Sequence, residues 1–257
     1  MTMIQSLILG IVEGISEFLP ISSTGHLILA SELLKIDQSN FTKSFEIIIQ
    51  LGAIFSVVAL YWRSFLKIEI LKRLVVAFIP TGVIGLALYK VVKSYLLGNE
   101  SVVLWSLLVG GLALIIFELW HKESADAAAE ISDVTYRQSV TIGLCQSVAI
   151  IPGVSRSAAT IVGGLLVGLK RKTVVEFSFL LAVPTMLAAS GLDLLKNADS
   201  FSKDQLGVLT VGFVVSFITA LISIRFLLGW IRTHNFVPFG IYRIILTLVF
   251  WLSVLRT

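Results

Sequence analysis

Apolar runs of about 20 residues, enough to cross a bilayer, fall at 45–62, 74–92, 102–120, 174–195, 206–228 and 238–255 of the 257-residue chain. They predict six membrane-spanning helices. Two further apolar regions, 2–34 and 138–169, are too long for one helix, and each is split by a polar, proline-containing break. The breaks read "LPISSTGH" and "IPGVSRS". Each half spans only about 10–17 residues, the length of a re-entrant segment rather than a full crossing. The pattern predicts an all-α polytopic membrane protein with six transmembrane helices and two re-entrant helical hairpins.

The two split regions match each other at an offset of 133 residues: Gln5-Ser6 over Gln138-Ser139, Gly10 over Gly143, Glu13 over Gln146 and Ser22 over Ser155. Three long apolar spans follow each one. A hairpin returns to its own side and three crossings switch sides, so the second unit enters the membrane upside down. Inverted-topology repeats with broken helices are a known membrane architecture. The expectation is a single membrane domain over 1–257, with repeat one at about 1–120, a linker at about 121–137 and repeat two at about 138–257. The linker is expected to be a cytoplasmic connector without chemistry of its own.

Composition agrees: 56% of residues are hydrophobic and 14% charged, against about 25% charged in a soluble domain. One cysteine, Cys145, excludes a disulfide framework and a cysteine-ligated metal centre. The opening "MTMIQSLILGIVEG" lacks the basic stretch and cleavage site of a secretory signal. The net charge of +4 reads as topology and not as nucleic-acid binding. The side of Met1 collects Lys35, Lys43, Lys90, Lys93, Lys196, Lys203 and Arg256. The other side collects Arg63, Lys67, Lys72, Arg73, Lys122, Arg137, Lys170, Arg171, Lys172, Arg225, Arg232 and Arg243. The positive-inside rule makes the richer side cytoplasmic and places both termini outside.

Four ionisable residues are predicted at membrane depth: Glu13, Glu17, His26 and Arg156, all in the broken regions. Such groups face a cavity and a partner. Glu13 and Glu17 share one helix face and repel each other unless one is protonated or both meet a cation. A divalent metal with oxygen ligands relieves that repulsion. Gly10 and Gly14 beside them have the spacing of close helix packing. Pro20 ends the first half-helix. Ser22, Ser23 and Thr24 then open a second, whose free N–H groups and dipole favour an anion. His26 sits in its first turn, where a proton donor or acceptor is useful. In the second break Ser155, Arg156 and Ser157 open another half-helix, with Thr160 one turn on. An Arg at a helix N-terminus grips phosphate in a bidentate fork. One half thus offers carboxylates, hydroxyls and a histidine, and the other an anion clamp, a division suited to phosphoryl transfer.

The stretches "EGISEFLPISSTGH" and "PGVSRSAATI" resemble the two signature motifs of the undecaprenyl-diphosphate phosphatase family of the bacitracin-resistance type. The likeness covers nearly the whole chain. It implies hydrolysis of undecaprenyl diphosphate, or related polyprenyl diphosphates, to the monophosphate and inorganic phosphate. That reaction recycles the lipid carrier of cell-wall synthesis in the bacterial plasma membrane. The resemblance places the paired glutamates on Glu13 and Glu17, the hydroxyl run on Ser22, Ser23 and Thr24, and the histidine on His26. It places the second motif on Ser155 and Arg156, with Ser157 and Thr160 beside them. It implies Mg²⁺ or Ca²⁺ on the glutamate pair and a site opening outward, the side of Met1. Catalysis is expected from Glu17, Ser23, His26 and Arg156, with Ser23 or an activated water as nucleophile. Membrane lipid is the expected surroundings, and a homodimer is compatible with the sequence.

Two other classes fit parts of the pattern. Inverted repeats with broken helices also build transporters, here a polyprenyl-phosphate flippase. A different lipid-phosphatase superfamily carries "PSGH" and "SR…H" motifs, but no His follows Arg156 until His234.

Overall fold

Polar residues start the helices where the apolar runs begin. Thr2, Ser22, Ser39, Asn99, Thr135 and Ser155 each accept a backbone N–H of the first turn with their side chain, satisfying a donor that has no partner inside the helix. The computed structural model of the protein describes residues 1–37, 39–96, 99–124, 126–197 and 205–254. Its helices are α1 (Met3–Ser16), α2 (Ser23–Leu33), α3 (Asn40–Phe65), α4 (Ile68–Val91), α5 (Glu100–Trp120), α6 (Tyr136–Ser147), α7 (Arg156–Leu166), α8 (Arg171–Asn197), α9 (Leu206–Trp230) and α10 (Val237–Val254). A π turn, Val92–Leu96, follows α4. No strand occurs among the described residues, and one isolated bridge joins Ala128 to Leu169.

Five helices, α3, α4, α5, α8 and α9, are long and apolar enough to cross a membrane. The predicted span at 238–255 corresponds to α10, whose apolar stretch Val237–Leu252 is shorter. The spans begin earlier than the hydropathy pattern suggested, α3 at Asn40 and α8 at Arg171, because charged ends remain helical once capped or paired. Lys203 and Arg256 of the charge tally lie outside the described residues, as do the side chains of Lys93 and Lys196.

At both breaks two short helices pack together, α1 with α2 and α6 with α7, and the two pairs agree in backbone detail. Thr2 with Gln5, and Thr135 with Gln138, form capping boxes at the starts of α1 and α6. The side-chain amide of Gln5 donates to the Leu34 carbonyl at 3.2 Å, and that of Gln138 to the Val167 carbonyl at 2.8 Å. Ser22 and Ser155 hold φ of 72° and 76° at the two breaks. α2 and α7 each contain 11 residues, and each ends in a left-handed residue, Lys35 or Gly168. Every one of these pairs is separated by 133 positions.

The packing is reciprocal as well. α1 lies against α9 and α6 against α4; α3 lies against α9 and α8 against α4; α3 meets α8, and α5 meets α10. Small residues bring these axes together. A Cβ on Gly10 would stand 2.8 Å from the Gly212 carbonyl oxygen, and one on Gly14 2.5 Å from that of Ser216. Gly143 makes the matching approach to Ala77 on α4.

One expectation requires correction, and one segment carries contacts that the expectation did not address: the linker is fastened to its neighbours. Ala128 exchanges backbone hydrogen bonds with Gly168 (2.9 Å) and Lys170 (3.0 Å), Thr173 donates its hydroxyl to the Ala129 carbonyl, and Arg73 Nε donates to the Val134 carbonyl. It is fastened because it must satisfy the backbone at the end of α7 and the start of α8. Arg243, counted above with the water-facing charges of one side, is fully buried. It donates to the carbonyls of Ser106 and Leu107 on α5 and of Gly153 and Val154 in the second break. The tally of that side therefore falls from twelve to eleven, against seven.

Candidate active site

The two breaks meet. Glu17, at the end of α1, lies between Ser23 at the start of α2 and Arg156 at the start of α7. Ser23 Oγ donates to Glu17 Oε2 at 2.5 Å, and Arg156 Nη2 donates to Glu17 Oε1 at 2.7 Å. Glu17 is 6% exposed and Ser23 8%, so both contacts form away from bulk water, where charge-assisted bonds are strong. Removing one partner of such a buried pair typically costs about 3–5 kcal/mol. Arg156 is anchored further by Nη1, which donates to the Ser178 carbonyl at 2.9 Å. Its Nε is buried and has no partner.

The local backbone explains how these groups converge. Positive φ at Ser22 and Ser155 is uncommon for a non-glycine residue. It turns the chain sharply enough to start α2 and α7 immediately after the break. Ser22 Oγ accepts Gly25 N–H at 3.4 Å, and Ser155 Oγ accepts Ala158 N–H at 3.2 Å. By position, the N–H groups of the first helical residues lack an intrahelical acceptor and carry the positive end of the dipole. A cavity of about 180 Å³ opens beside both helix starts, lined among others by Glu17, Ser22, Ser23, Thr24, Gln146, Ser155 and Arg156.

Four predicted residues lie outside that lining: Ser157, Thr160, His26 and Glu13. Ser157 donates its hydroxyl to the Phe18 carbonyl at 2.8 Å, tying α7 to the first break. Thr160 shares a 2.5 Å hydrogen bond with the Ser178 hydroxyl, next to the carbonyl that holds Arg156. These two hydroxyls position the clamp rather than face the cavity. His26 uses both ring nitrogens elsewhere: Nδ1 meets the Ser22 carbonyl and Nε2 the Tyr242 hydroxyl, each at 2.8 Å. A carbonyl only accepts, so Nδ1 carries the proton and Nε2 of the neutral ring accepts from Tyr242. The carboxylate in contact with Ser23 is that of Glu17.

Glu13 is fully buried one turn before Glu17, and both its carboxylate oxygens lack a hydrogen-bonding partner. Glu17, Glu46 and Arg156 are its charged neighbours. Among the described residues no cluster of three or more His, Cys, Asp or Glu is arranged to hold a metal. Two carboxylates, one of them with orphaned oxygens, suit a hard cation that completes its shell with water and phosphate oxygens.

Sequence reasoning missed three participants. Gln146, the counterpart of Glu13, lines the cavity and donates to Thr81 (2.9 Å) and Thr185 (3.2 Å), while its Oε1 is buried and unpartnered. Its alignment with Glu13 was the available signal. Tyr242 and Arg243, adjacent on α10, reach the first and the second break respectively. An arginine six residues inside an apolar span was the signal there.

A family model described as bacitracin resistance protein BacA matches residues 6–249. The chain belongs to that family. Among BacA-type relatives, the undecaprenyl-diphosphatase of Sulfurihydrogenibium sp. (strain YO3AOP1) is 54% identical, over 98% of this chain and 99% of its own length. That of Aquifex aeolicus is 51% identical over 97% of this chain and 98% of its own, and that of Methanococcus aeolicus 46% over the full length of both. The family and the apolar helices together make this a multi-pass membrane protein.

Proposed function

We infer that the protein is an integral-membrane phosphatase that hydrolyses undecaprenyl diphosphate to undecaprenyl phosphate and inorganic phosphate. Membership of the BacA family and the undecaprenyl-diphosphatases that match over nearly the whole chain support the substrate. One observation carries the chemistry: Glu17 joins a hydroxyl from one hairpin to a guanidinium from the other.

The mechanism follows from those contacts. The diphosphate enters at the starts of α2 and α7, where the helix N–H groups and Arg156, with its unused Nε, receive phosphate oxygens. Ser23 Oγ attacks the terminal phosphorus and passes its proton to Glu17. The bond from that phosphorus to the bridging oxygen breaks, and undecaprenyl phosphate leaves with the electron pair. Water, deprotonated by the second carboxylate of the site, then attacks the phosphoserine; the P–Oγ bond breaks, Glu17 returns its proton to Ser23 Oγ, and inorganic phosphate leaves. His26, fixed as the Nδ1–H tautomer, keeps the Ser22 turn in place. A bound Mg²⁺ or Ca²⁺ would be held by Glu13 and Glu17 and would supply neutralising charge beside the phosphates.

We further propose that α1–α2 and α6–α7 are re-entrant hairpins of two inverted repeats, with α10 as the sixth span. The reciprocal packing and the paired backbone details support this. The charge excess opposite Met1 supports a plasma-membrane orientation with the site opening to the outer side. Both halves of the site come from one chain, so catalysis needs no second copy.

Phosphate release from the C55 diphosphate by purified protein in detergent, with and without chelator, tests the proposal. Turnover that leaves radiolabelled phosphate on Ser23 after acid quench is the predicted result. Full turnover by Ser23→Ala would remove the serine nucleophile, and no phosphate release by the wild type would favour a transporter.

A further inference from the structure

Away from the catalytic cavity, a recess of about 520 Å³ opens between the start of α8 and the turn joining α9 to α10. Lys170, Arg171 and Lys172 line one side and Arg232, His234 and Asn235 the other, and the linker contributes Glu123. The two linings have no residue in common. Arg171 is committed: Glu118 pairs with it, and its guanidinium lies 5.0 Å from the Phe236 ring centre. Lys170, Lys172 and Arg232 take part in none of the ion pairs among the described residues. Glu123 accepts the Arg171 N–H at 2.9 Å, so a side-chain anion already meets the first residue of α8, as expected at a helix start. Even so, the recess carries excess positive charge.

What adjoins it identifies the ligand. On α9, Val214, Ile218, Ile222 and Phe226 recur every four residues and are 44%, 49%, 63% and 51% exposed, one apolar strip down a membrane-length helix. Phe226 meets Trp230 at 5.7 Å, and Trp230 stacks on His234 at 4.1 Å. The strip therefore runs without interruption from mid-span, through an aromatic pair of the kind found at membrane interfaces, into the basic recess. A soluble anion would use only the cations. A lipid uses both the cations and the strip.

We propose that this recess binds the phosphate headgroup of an anionic membrane phospholipid whose acyl chain lies along the exposed face of α9. Basic pockets between helices at one membrane face suit this class of ligand. Thermal unfolding of the full-length protein in detergent, titrated with phosphatidylglycerol, phosphatidylcholine or inorganic phosphate, tests it. Phosphatidylglycerol at about tenfold over half-saturation should raise Tm by about 3–6 °C, and the other two should not. Combining Lys172→Gln with Arg232→Gln, both exposed side chains, should abolish the shift. An equal shift with phosphatidylcholine, its reproduction by inorganic phosphate, or its persistence in the double variant would overturn the proposal. If the double variant does not fold, Glu123→Gln decides: phosphatidylglycerol should bind about threefold tighter once that carboxylate is neutral, and unchanged or weaker binding counts against the site.

Discussion

One turn before its break, the first hairpin carries Glu13, and Glu17 follows; the second has Gln146 and Ile150 at the same places. Just after the break the first has Ser23 and the second Arg156. Yet the backbones coincide, from the capping boxes at Thr2 and Thr135 to the positive φ of Ser22 and Ser155. Apart from a 3-10 turn at Val148–Ile150 and a positive φ at Gly153 in the second hairpin, the difference lies in side chains. A symmetric pair of clamps would bind a diphosphate and do nothing to it. A symmetric pair of glutamate motifs would repel it. In the proposed mechanism, dividing the residues lets one hairpin hold charge and the other attack phosphorus. The same divergence occurs further on, where Gly110 of α5 is the counterpart of Arg243 of α10 and leaves the room that the guanidinium occupies.

Removing the second hairpin's contribution should have the largest effect. Arg156→Ala should lower kcat/KM by about 10³-fold or more, as removal of a phosphate-stabilising arginine does elsewhere. Activity within tenfold of wild type would mean that the clamp lies elsewhere. Making the hairpins alike should come next. Gln146→Glu places a carboxylate in the phosphate cavity, and phosphate-release kinetics should show KM rising about 100-fold with a smaller fall in kcat. An unchanged KM would show that Gln146 does not meet the phosphates.

The α5–α10 asymmetry gives a structural prediction. A Cβ at Gly110 would stand 2.2 Å from Arg243 Nη2, so Gly110→Ala should displace the guanidinium from the Gly153 and Val154 carbonyls. Buried acceptors left unpaired cost about 1–3 kcal/mol each, and Tm should fall by about 5 °C or more. An unaltered unfolding curve would contradict that role for Arg243. The smallest effect should come from Tyr242→Phe. It removes one hydrogen bond to His26 and leaves the stacked ring, so turnover should fall about threefold. A loss as large as that of Ser23→Ala would instead make His26 a direct participant.

Much of this was legible in the chain. Pro20 and Pro152 mark the breaks, the 133-residue offset pairs the hairpins, and Glu17, Ser23 and Arg156 stand out as polar groups in apolar surroundings. The roles of single side chains were not legible, because periodicity shows which face a residue occupies and not which atom it meets. Ser157, Thr160 and His26 read as phosphate or proton groups, whereas their hydrogen bonds go to Phe18, Ser178 and Tyr242. Arg243 read as a surface charge because four carbonyl acceptors from two distant segments cannot be inferred from its own neighbours. The fastening of the linker was not legible because it depends on backbone groups at the end of α7 and the start of α8.

The central claim is that the two hairpins form a single site. It is tested most directly by a double-mutant cycle on kcat/KM with Ser23→Ala, Arg156→Ala and the pair, each checked for folding by its elution profile in detergent. Residues that act as a unit give losses that do not add. The predicted result is a double variant no slower than about tenfold below the worse single variant. Losses that multiply in full would place Ser23 and Arg156 in separate functions and contradict the divided site.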